Sequence, residues 1–200
     1  MVKIAVLVSG GGTNLKALID ASENGDLEGG ELSLVISSVK EAYAAERAKK
    51  AGIKTITIER KEYADPAEFD SAIAGALSEN KIDLAVLAGF MSILGQKTLE
   101  LYSGRIINVH PSLIPSFCGK GFYGLRVHKA VLGYGVKVTG ATVHFVNDVI
   151  DGGRIILQKA IDVLPCDTPE SLQQRVMREC EWVLLPKAVA MFCRNKIRES

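Results

Sequence analysis

The sequence predicts an α/β fold: a mostly parallel sheet with helices on both faces and antiparallel strands in the C-terminal half. Three observations carry this expectation. Short β-branched apolar runs recur along the 200 residues, stretches of helical spacing separate the early runs, and the rhythm changes after Val109. Residues 3–8, 32–37, 54–58, 83–88 and 105–109 read as strands, with helices expected over 14–22, 42–51, 66–80 and 93–102. That alternation argues for parallel strands buried on both faces. The next runs, 139–146 and 154–163, read as an antiparallel pair joined across Asn147-Asp148-Val149-Ile150-Asp151-Gly152-Gly153. A helical pattern from Thr168 to about Lys196 closes the chain, with Asp167 or Thr168 as N-cap and Pro169 at the first helical position. Pro186 has no N–H to donate, so it predicts a kink or break in this helix. No repeat, low-complexity tract or linker interrupts the pattern, and residues 1–200 are expected to form one domain.

Composition narrows the function. With 24 Lys+Arg against 23 Asp+Glu the formal charge is +1, too little for a general field that would hold nucleic acid or an anionic membrane. An anionic ligand must therefore be gripped locally. Cys118, Cys166, Cys180 and Cys193 form no Cys-x-x-Cys pair and do not cluster with the three histidines, so no metal site is expected. The apolar start, residues 1–8, is too short for a secretory segment, and no run approaches the ~20 apolar residues of a membrane helix. Free thiols and a cytoplasmic location are the expectation.

Two motifs carry chemistry. Ser9-Gly10-Gly11-Gly12-Thr13-Asn14 follows the first strand and opens a helix, where backbone N–H groups converge on an anion at the positive helix end. It is neither a Walker loop nor Gly-x-Gly-x-x-Gly, since Leu15 occupies the last position, so a single small phosphate is the expected ligand. Thr13 would offer a hydroxyl and Asn14 would cap. The second motif, Asn108-Val109-His110-Pro111-Ser112, ends the fifth strand, and ligands of open α/β folds bind at the carboxyl edge of the sheet. Period-2 geometry puts Asn108 and His110 on one side of the strand. An amide that donates to a developing oxyanion beside an imidazole that shuttles a proton suits attack on a carbonyl. Asp148 and Asp151, in the turn after residue 146, are candidates to hold an imidazole or a water. His128 is expected at the solvent-exposed start of a helix. His144 faces opposite Val143 and Phe145 and is left open between a supporting role and none.

Together these residues identify a family. The chain resembles the phosphoribosylglycinamide formyltransferases through Val8-Ser9-Gly10-Gly11-Gly12-Thr13-Asn14-Leu15, Leu87-Ala88-Gly89-Phe90-Met91, Asn108-Val109-His110-Pro111-Ser112-Leu113-Ile114-Pro115, Gly121-Phe122-Tyr123-Gly124 and the stretch 140–153. The resemblance implies a Rossmann-like catalytic domain in purine biosynthesis. There the amine of 5-phosphoribosylglycinamide attacks the formyl carbon of 10-formyltetrahydrofolate, a co-substrate, with no metal and no covalent enzyme intermediate. It further implies Asn108, His110 and Asp151 as the catalytic set, and Gly12, Thr13 and Asn14 on the substrate phosphate. Glu181 would contact the ribose hydroxyls, and Met91, Ser92, Ile93 and Leu94 with Asn147, Asp148, Val149 and Ile150 would line the folate site. Ser92 stands where many members carry Arg, and Asp65-Pro66 where some place a basic folate contact. Formyltetrahydrofolate hydrolases and methionyl-tRNA formyltransferases share the catalytic domain, but the first adds an N-terminal domain and the second a C-terminal tRNA-binding domain. A non-catalytic phosphosugar-binding module would explain Gly10–Asn14 alone. No nucleic-acid or membrane partner is expected, and a homodimer is left open.

Overall fold

The computed structural model describes residues 1–195 and 197; Lys196, where the closing helix was expected to end, lies outside them. The elements run β1 (Val2–Val8), α1 (Thr13–Glu23), β2 (Gly30–Ser37), α2 (Tyr43–Lys50), β3 (Thr55–Thr57), α3 (Pro66–Glu79), β4 (Leu84–Leu87), α4 (Gln96–Leu101) and β5 (Ile106–His110). They continue with α5 (Leu125–Tyr134), β6 (Val138–Phe145), β7 (Ile155–Asp162), α6 (Pro169–Val176) and α7 (Trp182–Cys193). Among the described residues seven strands form one sheet in the order β3-β2-β1-β4-β5-β6-β7. The strands β3 to β5 pair in parallel, while β6 runs antiparallel to both β5 and β7.

The central apolar runs become strands because both of their faces are covered, whereas the edge strand β7 is largely exposed. Ile4, Val6, Val8, Leu84 and Val86 pack with Leu15, Leu18, Leu185 and Val189 from α1 and α7. Ala5, Leu7, Leu34 and Ala85 face the other way, onto Phe69, Ile73 and Leu77 of α3. Burying side chains such as these stabilises by about 1.5–3 kcal/mol each, so the alternation along a strand fixes which face meets which helix.

Three local features differ from the sequence-based expectation. Helix α4 begins at Gln96 rather than near residue 93, because buried Asp70 accepts from Gly95 N (2.8 Å) and Thr98 N (3.1 Å) and sets the start there. Ile93 is consequently 73% exposed instead of belonging to a helix face. The closing helix is not uniform: Thr168 caps α6 through a reciprocal box with Ser171, and a π-helical segment, Met177–Glu181, separates α6 from α7. Helix α7 then continues through Pro186. The irregular turn thus lies ahead of the proline, where a widened turn re-spaces the carbonyls before a residue with no N–H. Finally, α1 is capped by Gly12 and not by Asn14. Gly12 takes φ 68°, and a Cβ there would stand 2.6 Å from Ala44 Cβ, so glycine is required twice over.

The chain leaves β1 toward β2 and β3, then returns to β4 on the other side of β1. The loops after β1 and β4 therefore diverge side by side and open a crevice at the carboxyl ends of the strands. Ser9 Oγ, next to the glycine turn, accepts from Met91 N at 2.8 Å and ties the two loops together.

Candidate active site

The crevice is a cleft of about 460 Å³. Its walls include Asn14 and Glu181, the segment Gly89–Leu94, the strand end Asn108–Pro111, the loop 119–124 and the turn 146–151. All eight residues expected around a folate, Met91 to Leu94 and Asn147 to Ile150, line it. Met91, Ile93, Val149 and Ile150 remain between 45% and 73% exposed. An exposed apolar rim of that size marks a ligand-binding surface.

Four polar side chains meet at its floor. The β5–β6 ladder pairs Asn108 directly with His144, placing Asn108 Nδ2 3.1 Å from His144 Nε2. His144 Nδ1 lies 2.7 Å from the carbonyl of Phe145, which can only accept, so the His144 proton sits on Nδ1 and Nε2 accepts from Asn108. Burial lowers the His144 pKa from its ordinary 6.5, in keeping with this neutral tautomer. An extra residue on β7 opposite the Val143–His144 step bulges the ladder and aims the imidazole.

Asp151 completes the cluster from the turn after β6. Its Oδ1 lies 3.5 Å from Asn108 Nδ2 and 3.8 Å from His144 Nε2, and its Oδ2 lies 3.5 Å from His110 Nδ1. A carboxylate and an acceptor nitrogen on this side of Asn108 require its amide nitrogen, not its oxygen, to face them. Gly119 N donates to Asp151 Oδ2 at 2.8 Å. Asp151 adopts φ 55°, a left-handed conformation that Asp tolerates better than most residues and that recurs at functional sites. The turn closes by Val149 N donating to Asn147 Oδ1 (3.0 Å) and Gly152 N to Val149 O (3.0 Å). Gly153 lies so near β6 that a Cβ would sit 1.8 Å from Phe145 O.

His110 is buried, with Nε2 2.9 Å from Phe117 O. That carbonyl keeps a proton on Nε2, so a second proton would enter at Nδ1, on the side of Asp151. The amide, the imidazole and the carboxylate thus converge, as the two separate motifs allow but spacing alone does not require.

The glycine turn faces the same end of the sheet. Helix α1 has no side-chain cap and no acidic residue in its first turn, so its leading N–H groups are free for an anion. Gly10 O accepts from Ala44 N at 3.1 Å and Gly11 O from Arg47 Nε at 2.9 Å, which holds the turn against α2. Gly12 and Thr13 lie outside the cleft walls proper, whereas Asn14 lines them. Its amide donates to Glu181 Oε2 at 2.7 Å, and its own Oδ1 is buried without a partner among the described residues. Glu181 is 6% exposed, and burial raises its pKa from 4.5 to about 6 against the opposing pull of Asn14. The π segment delivers Glu181 to the cleft, where such segments often serve function.

His128 corrects the expectation of a solvated residue. It is 0% exposed on the first turns of α5, borders the cleft, and has neither ring nitrogen hydrogen-bonded among the described residues. Burial, with the nearby His110 adding to it, lowers its pKa to about 4. The sequence did hold a signal: Val127 and Val131, four apart, are both buried, and they place His128 on the inward face.

A protein-family model described as formyl transferase matches residues 2–189. Phosphoribosylglycinamide formyltransferase of Haemophilus influenzae is 39% identical over 99% of this chain and 90% of its own length. The trifunctional purine biosynthetic protein adenosine-3 of Gallus gallus is 42% identical over 98% of the chain, which spans only 19% of that larger protein. Among solved structures, glycinamide ribonucleotide transformylase 1 from Symbiobacterium toebii superposes with a TM-score of 0.93 at 39% identity, covering 100% of this chain and 91% of its own. With that match over nearly its whole length, and with Asn108, His110 and Asp151 gathered at the mouth of its sheet, the chain belongs to the formyl transferase family.

Proposed function

We propose that residues 1–200 act as one catalytic domain that moves a formyl group from 10-formyltetrahydrofolate to the amine of 5-phosphoribosylglycinamide in the cytoplasm. The observation that carries this reading is the convergence of Asn108 and His110 on Asp151, each with a side-chain nitrogen 3.5 Å from its carboxylate, beside an apolar cleft. In this reading the folate ring lies along Met91–Leu94 and the 147–150 turn, and the phosphate rests on the N–H groups at Gly12, Thr13 and Asn14. Glu181, with Asn14, accepts from the ribose hydroxyls.

The amine lone pair attacks the formyl carbon, and the carbonyl oxygen becomes an oxyanion. Asn108 Nδ2–H and protonated His110 donate to it. Asp151, directly or through a water, takes the proton released by the attacking nitrogen and passes it to the leaving folate nitrogen as the oxyanion collapses and the folate C–N bond breaks. The test is transfer of labelled formyl to phosphoribosylglycinamide by purified protein. Binding of both compounds without transfer, or release of formate with no acceptor product, would refute the proposal.

A further inference from the structure

Both compounds of the proposed reaction are anions, yet the cleft is poor in positive charge. Its lining carries Asp148, Asp151 and Glu181, and among the described residues Lys120 is its one Lys or Arg side chain. Lys120 is exposed, and its ammonium has no hydrogen-bond or ion-pair partner among the described residues. Its neighbour Gly119 donates to Asp151 Oδ2 at 2.8 Å, which anchors the loop beside the reaction centre. Gly119 and Gly121, at φ 85° and 93°, bracket it in left-handed backbone and make a tight excursion that presents the residue between them. The phosphate end of the sugar already has the uncapped N-terminus of α1. The apolar segments that would cover a folate ring offer Ser92 and Asp148 and no cation.

From this distribution we propose that Lys120 is a specificity-determining residue that holds the glutamate carboxylates of the folate. The inference rests on the proposed folate reading of the cleft. Lys120 supplies the charge that the ring-binding segments lack, from a loop tied to Asp151 by a backbone hydrogen bond. An exposed ammonium–carboxylate pair is worth up to about fivefold in affinity, and reversal of the charge roughly doubles that effect in logarithmic terms.

The experiment measures KM and calorimetric Kd for 10-formyltetrahydrofolate and for its pteroate counterpart, which lacks glutamate, in wild type, Lys120→Gln and Lys120→Glu. The expected result is about a fivefold weakening with the glutamate-bearing compound for Lys120→Gln and about twenty-fivefold for Lys120→Glu. The pteroate compound should bind all three proteins alike, and kcat should hold within twofold. Equal losses with both compounds would overturn the assignment, because Lys120 would then not read the carboxylates. A loss confined to phosphoribosylglycinamide would assign Lys120 to the phosphate and overturn it equally. A wild type that binds the folate but transfers no formyl would remove the proposed reaction and leave the Lys120 comparison standing on its binding data. A wild type that binds no folate would remove both.

Discussion

Replacing Glu181 by Gln removes a charge that the fold holds at a disadvantage. Burial lifts the carboxyl from 4.5 to about 6 in the folded chain, and that rise corresponds to about 2 kcal/mol. Because the folded value is the higher one, the stability due to protonating this group is fully present below pH 4.5 and is lost as the pH rises through 6. The glutamine keeps an acceptor for Asn14 Nδ2, which now donates to Glu181 at 2.7 Å, so the packing is retained. Urea unfolding of both proteins from pH 4.5 to 8 should show Glu181→Gln more stable by up to about 2 kcal/mol at pH 8, with the advantage vanishing toward pH 4.5. The same substitution should weaken phosphoribosylglycinamide about tenfold or more, since hydrogen bonds to a charged acceptor are the stronger ones. A difference independent of pH, or a glutamine variant that is less stable at pH 8, would refute the reading of a strained buried carboxylate. Unchanged substrate affinity would refute its use in binding.

Asp151→Asn should lower turnover by at least ~100-fold with little effect on glycinamide affinity, as for loss of a positioned acid–base partner; steady-state kinetics decides it. His128→Phe should leave thermal stability level or raise it, because two unpaired buried nitrogens are exchanged for an apolar ring. The wild type should lose stability relative to this variant as the pH falls from 6.5 toward 4, because the folded imidazole resists protonation more than the unfolded one. A marked drop in the variant's melting temperature would mean that the nitrogens have partners. Gly153→Ala forces a methyl within 1.8 Å of Phe145 O and should destabilise by at least ~2 kcal/mol while displacing the turn that carries Asp151, measurable as parallel losses in unfolding free energy and turnover.

The strands were legible because the central ones are buried enough to be written as apolar runs, while β3 and the largely exposed β7 still carry β-branched residues, and the observed bounds fall within a few residues of those expected. Asn108 and His110 were legible because strand periodicity and a following proline place them at a sheet edge. What the sequence could not express was who meets whom across the chain. Asp151 reaches His110 only because β6 folds back antiparallel on β5, and Asn14 reaches Glu181 only because α1 begins where the π segment ends. Asn14 looked like a cap because its type suits one, but Gly12 reaches the left-handed conformation more cheaply and frees the Asn14 amide. His128 looked exposed because it stands among Arg126 and Lys129, and charged neighbours on a helix say nothing of the face a residue occupies.

The pairing of β5 with β6 also sets which parts of this chain are free to change in length. Asn108 and His144 are held opposite each other by ladder hydrogen bonds, as are His110 and Thr142, whatever path the chain takes from Pro111 to Lys137. Doubling a flexible excursion adds only about 0.6 kcal/mol of closure entropy. The freedom is bounded within that stretch, because Phe117 O contacts His110, Gly119 N holds Asp151 and α5 is packed into the core; changes in length that spare these points leave the ladder pairs opposite each other.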